Sequence, residues 1–105
     1  MSETQTVSVN TYYVKLIGVL ASAAGKRELE LQSSSRTTVS EMIAALLQRV
    51  GNNQFRDFLV DSATQDPRPN VIILLNDQDM NIFHGLKTLL EPGTIVTIIP
   101  VAHGG

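Results

Sequence analysis

The residues with the clearest chemical potential lie in the last stretch of the sequence, Val101-Ala102-His103-Gly104-Gly105. Two consecutive glycines carry no side chains, so they can pass through a narrow tunnel and bring a carboxylate close to a reacting group. A carboxylate is unreactive until a partner that holds ATP and magnesium adenylylates it, and sulfide, a cysteine or a lysine amine could then capture the acyl group. The stretch therefore predicts an acyl carrier with Gly105 as the reacting residue, although a Gly-Gly pair alone would more often be a frayed end.

Other patterns in the sequence do not predict catalysis or metal binding. The two histidines, His84 and His103, have no ligand partner at helical or hairpin spacing. Glu28 and Glu30 share a strand face, where nothing nearby would raise a pKa, so they indicate solvated surface. The acidic turn at 77–79 lacks the rest of a calcium loop. We expect no metal site and no catalytic residue in this chain.

Composition narrows the class of protein further. A chain of 105 residues predicts one domain, and its formal net charge of -2 with scattered Lys and Arg argues against nucleic-acid binding. The absence of cysteine excludes a disulfide scaffold and a catalytic thiol. The polar N-terminus has no apolar segment typical of a secretory signal, and the apolar runs are too short to span a membrane. We therefore expect a cytoplasmic protein that does not associate with membranes.

The first elements that must position the tail form a predicted hairpin. Residues 9–20 are rich in β-branched and aromatic side chains, and residues 27–32 alternate polar and apolar, so both predict strands. Small residues at 21–25 predict the turn between them. In the first strand, Tyr12, Val14, Leu16 and Leu20 share one face, and Tyr13, Lys15, Ile17 and Val19 share the other.

A helix should follow the hairpin. Thr38 and Glu41 have the spacing of a capping box, and Gly51 lies where a helix would end. Between them, apolar residues recur at helical spacing and predict one buried stripe. A short second helix could dock onto the core after it. The stripe consists of Val39, Met42, Ile43, Leu46, Leu47 and Val50, and the second helix would use Phe55, Phe58 and Leu59.

The second half of the chain predicts the remaining strands. Residues 71–75 form a continuous apolar run, which favours a strand covered on one face, and 80–83 could be a brief edge strand. Residues 94–99 predict the last strand, which Pro100 should end because proline has no N–H. The order ββαβββ predicts an α+β fold, a mixed sheet of four to five strands packed on one main helix. We expect a flexible N-terminus at 1–8, a domain at 9–100 and a flexible tail at 101–105.

The first and last strands together predict a surface for partners. Alternation along both strands divides their side chains into a set that faces the helix and a set that faces away. An exposed apolar patch usually marks a partner surface, unless the loop at 51–69 or a second copy of the chain covers it. The inward set is Val14, Leu16, Val96 and Ile98, and the predicted patch is Ile17, Val19, Thr97 and Ile99.

Four stretches of the sequence resemble a known family. They are residues 14–20 followed by Gly25-Lys26-Arg27, the helix start at 38–43, the strand end at 74–77, and the run 91–100 followed by the Gly-Gly end. Together, over about residues 12–105, they resemble the β-grasp sulfur carriers. These include the thiamine sulfur carrier, the small subunit of molybdopterin synthase, the ubiquitin-related modifier and the archaeal small modifiers.

The resemblance implies a β-grasp, ubiquitin-like fold and a carrier that is not itself an enzyme. A ubiquitin-activating-enzyme-like partner would use ATP and magnesium to adenylylate Gly105, and Gly104 and His103 would be recognised in the tail. A sulfur donor or sulfurtransferase, or lysines of target proteins, would then receive the acyl group, and the carrier itself would bind no cofactor. Two alternatives stay open: a small subunit of molybdopterin synthase, and a plain interaction domain with an accidental Gly-Gly. The single Pro100, the extra residues at 51–69 and His103 lean away from the first of these.

Overall fold

The computed structural model describes residues 9–101, which form five strands, three α-helices and two short 3₁₀ turns. The strands are β1 (Asn10–Leu16), β2 (Glu28–Ser33), β3 (Val71–Leu75), β4 (Gln78–Asp79) and β5 (Ile95–Pro100). The helices are α1 (Val19–Ala24), α2 (Val39–Val50) and α3 (Asn53–Leu59), and the 3₁₀ turns are Met80–Ile82 and Gly85–Lys87.

The five strands form one mixed sheet in the order β2-β1-β5-β3-β4. β1 pairs antiparallel with β2 and parallel with β5, and β3 pairs antiparallel with both β5 and β4. The first and last strands of the chain are thus neighbours in the middle of the sheet. This confirms the predicted α+β architecture with a mixed sheet.

Helix α2 begins and ends as its sequence predicts. The Thr38 side chain accepts from the Glu41 N–H at 3.1 Å, and the Glu41 carboxylate accepts from the Thr38 N–H at 2.9 Å. Gly51 ends the helix with φ of 69°, a left-handed conformation that glycine adopts without strain. The apolar stripe packs on the sheet, although Leu47 and Val50 are only partly buried at its edge. The core on both sides of this contact includes Val39, Met42, Ile43 and Leu46 from α2 and Val14, Leu16, Val96 and Ile98 from the strands.

The prediction of one strand over 9–20 and a simple turn over 21–25 is wrong. β1 ends at Leu16, and Gly18 turns the chain with φ 59° and ψ -129°, a combination that is essentially restricted to glycine. The small residues that suggested a turn form α1, which Gly25 ends with a hydrogen bond from its N–H to the Ala21 carbonyl. Val19 and Leu20 therefore lie on a helix and not on the strand, and Leu20 is buried.

The predicted edge strand at 80–83 is also wrong. The edge strand is β4, and the chain then enters the first 3₁₀ turn. The cause is local, because Oδ1 of Asp79 accepts from the N–H of Asn81 at 2.8 Å and so favours a turn over an extended chain. Met80 is buried, whereas Ile82 is 64% exposed.

The second helix exists as α3, with one difference from the prediction. Asn52 caps it, since its Oδ1 accepts from the Phe55 N–H at 2.7 Å. Phe55 and Leu59 are fully buried, but Phe58 is 37% exposed and does not dock into the core. The segment 51–69 thus contains a helix and not only a loop.

Candidate functional site

The predicted acyl-carrying tail follows β5, the strand between β1 and β3. Pro100 is the last residue of β5 and lies opposite Val71. The N–H of Val101 then donates a 2.9 Å hydrogen bond to the carbonyl of Asn70. Pairing therefore continues one residue past Pro100, so Val101, the first residue of the predicted flexible tail, is still hydrogen-bonded beside the sheet. The other predicted tail residues, His103, Gly104 and Gly105, lie outside the described residues.

Two neighbouring elements hold the point where the tail begins. Nδ2 of Asn70 donates to the carbonyl of Asp57 in α3, at 3.2 Å. On the side of α1, a Cβ placed on Gly18 would lie 3.4 Å from Cγ of Pro100. The two helices are themselves joined, because Nδ2 of Asn52 donates to the Ala23 carbonyl at 2.8 Å. Helix α3 therefore helps to fix where the tail leaves the sheet.

The face of the sheet that points away from α2 carries an apolar strip beside the tail exit. The strand register places Tyr13 next to Ile95, and Ile99 next to Ile72. Exposed fractions are 41% for Tyr13, 37% for Ile95 and 43% for Ile72. Thr97, between Lys15 and Leu74, is half-buried in the same strip. We call this surface the outer strip and define it as Tyr13, Ile72, Leu74, Ile95, Thr97 and Ile99.

The four residues of the predicted patch are only partly brought together. Thr97 and Ile99 belong to the outer strip and are half-buried. Ile17, 44% exposed, follows β1, and its N–H donates to the Ile98 carbonyl at 3.2 Å, so it extends the strip towards the exit. Val19, 45% exposed, lies on α1 instead. The sequence prediction missed Ile72 and Ile95, which alternation along β3 and β5 could have identified.

The lowered carboxyl pKa values lie in the loop 61–70 and have local causes. Hydrogen bonds from the backbone N–H and then the hydroxyl of Thr64 lower the pKa of Asp61. The side chain of Arg68, followed by its backbone N–H, lowers the pKa of Asp66, and the pKa of Arg68 is raised in return. These contacts stabilise charged groups within one turn, so they indicate loop structure and not acid–base catalysis.

The candidate metal and membrane features of the sequence can be compared with the structure over residues 9–101. Within that range, no group of three or more His, Cys, Asp or Glu side chains is arranged to hold a metal ion. Glu28 and Glu30 are exposed on β2, and Asp79 caps the following turn. No helix in the same range has the length and apolar character needed to cross a bilayer.

The fold and the tail exit define a class of protein. A mixed sheet packed on one main helix, with the first and last strands paired side by side, is the β-grasp, ubiquitin-like fold. Residues 14–105 match the model of the ThiS family, and the chain belongs to that family. It is thus a ubiquitin-like protein of the sulfur-carrier and modifier class.

Individual relatives agree with this assignment. The chain is similar to ubiquitin-related modifier 1 of Schizosaccharomyces pombe, with 28% identity over 95 residues that cover 88% of this chain and 96% of the relative. It is similar to the solution structure of Urm1 from Trypanosoma brucei, with 26% identity, a TM-score of 0.72 and coverage of 95% and 100% of the two chains. The small archaeal modifier protein 1 from Methanosarcina acetivorans matches with a TM-score of 0.77, coverage of 93% and 99%, and 23% identity, which supports the fold alone.

Proposed function

We propose that the carboxylate of Gly105 is the working group of this protein and that a ubiquitin-activating-enzyme-like partner adenylylates it. The carboxylate oxygen attacks the α-phosphorus of ATP, bound with magnesium by the partner, and pyrophosphate leaves. Sulfide, delivered by a sulfur donor or sulfurtransferase, then displaces AMP and gives a thiocarboxylate. A lysine amine of a target protein displaces AMP in the same way and gives an isopeptide bond. The chain supplies the acyl group, and the partner supplies ATP binding and catalysis in the cytoplasm.

One observation carries this proposal: the family match extends through Gly105, and β5 delivers that segment from the middle of the sheet, next to the outer strip. The last described residue, Val101, is anchored to Asn70. Four further residues span at most about 14 Å when fully extended. The partner's reaction centre must therefore come within about 14 Å of Val101, which brings its surface against the fold around the exit.

The contact with the fold has to offset the ordering of the tail. Fixing the backbone costs roughly 1–2 kcal/mol for each residue. We assign the compensating affinity to Ile17 and Val19 at the exit and to Thr97 and Ile99 of the outer strip. An exposed apolar surface of this kind is typical of a partner-binding site. Gly104 would pass the narrowest part of the partner's tunnel, and His103 would contact the partner just outside it.

The decisive experiment is ATP-dependent activation of tail variants by the adenylating enzyme of the same organism. Deletion of Gly104 and Gly105 should abolish pyrophosphate release without a change in melting temperature. Gly104→Val should do nearly the same, because a branched Cβ widens the tail where it must be narrow. Ala102→Val is the matched control, since it adds the same side chain two residues earlier and should retain activation. Activation of the truncated chain would contradict the proposal and favour a plain interaction domain.

The fate of the acyl group is read from the mass of the native protein. A thiocarboxylate adds about 16 Da, because sulfur replaces one oxygen of the acyl group. Isopeptide conjugates would appear instead as target lysines that carry residues 88–105 after trypsin digestion, because Lys87 is the last Lys or Arg of the sequence. Rescue of a strain that lacks the small subunit of molybdopterin synthase would assign the sulfur to molybdenum cofactor synthesis, and we expect no rescue.

A further inference from the structure

A second surface lies at the end of the sheet opposite the tail exit. There, the turn between β3 and β4 and the segment 83–91 enclose a groove of about 470 Å³. Thr94, which precedes β5, lies at its base. The six residues of β5 separate this groove from the exit at Pro100, a distance of roughly 17 Å at the usual rise of a strand. A ligand in the groove would therefore leave the tail accessible.

One wall of the groove presents unpaired main chain. Leu89 forms an isolated antiparallel bridge with Thr38, in which the Val39 N–H bonds to the Thr88 carbonyl and the Leu90 N–H bonds to the Thr37 carbonyl. In this pattern the N–H and C=O of Leu89 point away from Thr38. Within the described part of the chain neither group has a hydrogen-bond partner. The groove lies on this outward side, because its lining includes residues 87–91 and excludes residues 37–39.

The lining of the groove combines exposed apolar side chains with polar ones and with a lysine that has no ion-pair partner in the described residues. Leu89 is 49% exposed and Phe83 is 43% exposed, and both line the groove. Lys87 also lines it and forms no ion pair within residues 9–101. The acidic residue on the rim, Glu91, is neutralised by Arg36 at 3.1 Å. Asp77 and Asp79, in the β3–β4 hairpin, do not line the groove. Lys87 is therefore the charged lining side chain without an ion-pair partner among residues 9–101, and it can pair with a carboxylate of a ligand whose apolar side chains contact Phe83 and Leu89.

We propose that this groove binds an extended segment of a partner protein in which apolar and acidic residues alternate. The segment pairs as a short strand with the N–H and C=O of Leu89, the mode in which an exposed strand edge accepts a peptide. Alternation places its apolar side chains against Phe83 and Leu89 and an acidic side chain towards Lys87. The protein thus has two recognition surfaces, and a partner can hold it by the groove while another enzyme acts on the tail.

The proposal does not depend on activation of Gly105, and its test keeps the two claims separate. The probe is the synthetic peptide acetyl-Glu-Ile-Glu-Ile-Glu-amide, added to ¹⁵N-labelled full-length protein and, in parallel, to protein lacking Gly104 and Gly105. We expect saturable NMR shifts at 75–78 and 83–91 in both proteins at peptide concentrations up to about 1 mM. Exchange of the Leu89 amide should slow at least about tenfold when its N–H becomes bonded. The same peptide with Lys in place of Glu should not bind.

Variants of the groove separate main-chain from side-chain contributions. Leu89→Pro removes the outward N–H, and Thr88, with φ -63° and ψ 126°, already has the conformation that a residue before proline requires. It should weaken the peptide about tenfold, the effect of one lost hydrogen bond, and Leu89→Ala, which keeps the N–H, should weaken it less. Ile82→Ala is the matched control, because Ile82 is 64% exposed on the same segment but does not line the groove. Lack of saturable shifts, shifts confined to the outer strip, or an unchanged exchange rate at Leu89 would each overturn the proposal.

Discussion

The two faces of the sheet carry similar apolar side chains but differ in what covers them. On β3, Ile73 is 1% exposed, whereas its neighbour Ile72 is 43% exposed. On β5, Ile98 is fully buried and Ile95 is 37% exposed. The inner face packs against α2, while the outer face in the described residues stays open beside the tail exit. An apolar residue on a strand therefore contributes to stability where it is buried against α2, and it is available for recognition where it is exposed on the outer face.

The largest difference is expected between the two adjacent isoleucines of β3. Ile73→Ala should lower the free energy of unfolding by about 2–5 kcal/mol, because it removes buried contacts and leaves a cavity under α2. Ile72→Ala creates no cavity and should cost less than about 0.5 kcal/mol. Urea denaturation of both variants measures the two values. Equal losses would mean that the outer face is covered in solution, so that the two faces of the sheet do not differ in burial.

A smaller loss of stability is expected at the glycine that separates β1 from α1. Gly18→Ala forces a residue with a Cβ into φ 59° and ψ -129°. This strain should lower the free energy of unfolding by about 1–3 kcal/mol. The new Cβ would also approach Pro100 at the tail exit. Gly25→Ala is a useful control, because Gly25 also has positive φ but a Cβ added there would meet no atom within 4 Å. If Gly18→Ala lowers the free energy of unfolding no more than Gly25→Ala does, the turn at Gly18 does not require the backbone conformation that only glycine adopts easily.

Much of the inner face was predictable from the sequence, whereas the exit was not. The alternation in β1 and β5 and the capped stripe of α2 each have one physical solution, so the core residues follow directly. Helix α1 could not be predicted in this way, because Val19 and Leu20 favour a strand and the following small residues favour a turn. Only the conformation of Gly18 reveals the break. The groove was also missed, since the bridge between Thr38 and Leu89 joins residues far apart in sequence and depends on tertiary packing.

The outer face should affect activation and leave stability nearly unchanged. Ile17→Glu places a charge in the apolar surface beside the exit and should lower kcat/KM for adenylylation about tenfold, mostly through KM, because recognition and not chemistry is weakened. The melting temperature should stay close to that of the wild type, since Ile17 is 44% exposed. Ile82→Glu is the matched control at the opposite end and should be activated normally. Unchanged kinetics for Ile17→Glu would remove this residue from the partner surface.

The smallest effect is expected at the ion pair between Arg68 and Asp66 in the loop 61–70, which belongs to neither face of the sheet. Nε of Arg68 donates to both carboxylate oxygens of Asp66, at 2.9 and 3.0 Å, and this side chain lowers the pKa of Asp66. A carboxyl with a lowered pKa in the folded state contributes stability above its unfolded pKa, near about 3.9, and loses it as the pH falls through the folded value. Arg68→Gln should therefore lower the free energy of unfolding only slightly at neutral pH, because the Arg68 side chain is exposed to solvent. The difference from wild type, followed by urea denaturation from pH 7 downwards, should shrink as the pH falls below the unfolded pKa and vanish once Asp66 is protonated in the folded protein. A loss as large as that of Ile73→Ala, or one that persists in acid, would show that the loop supports the core by packing and not by charge.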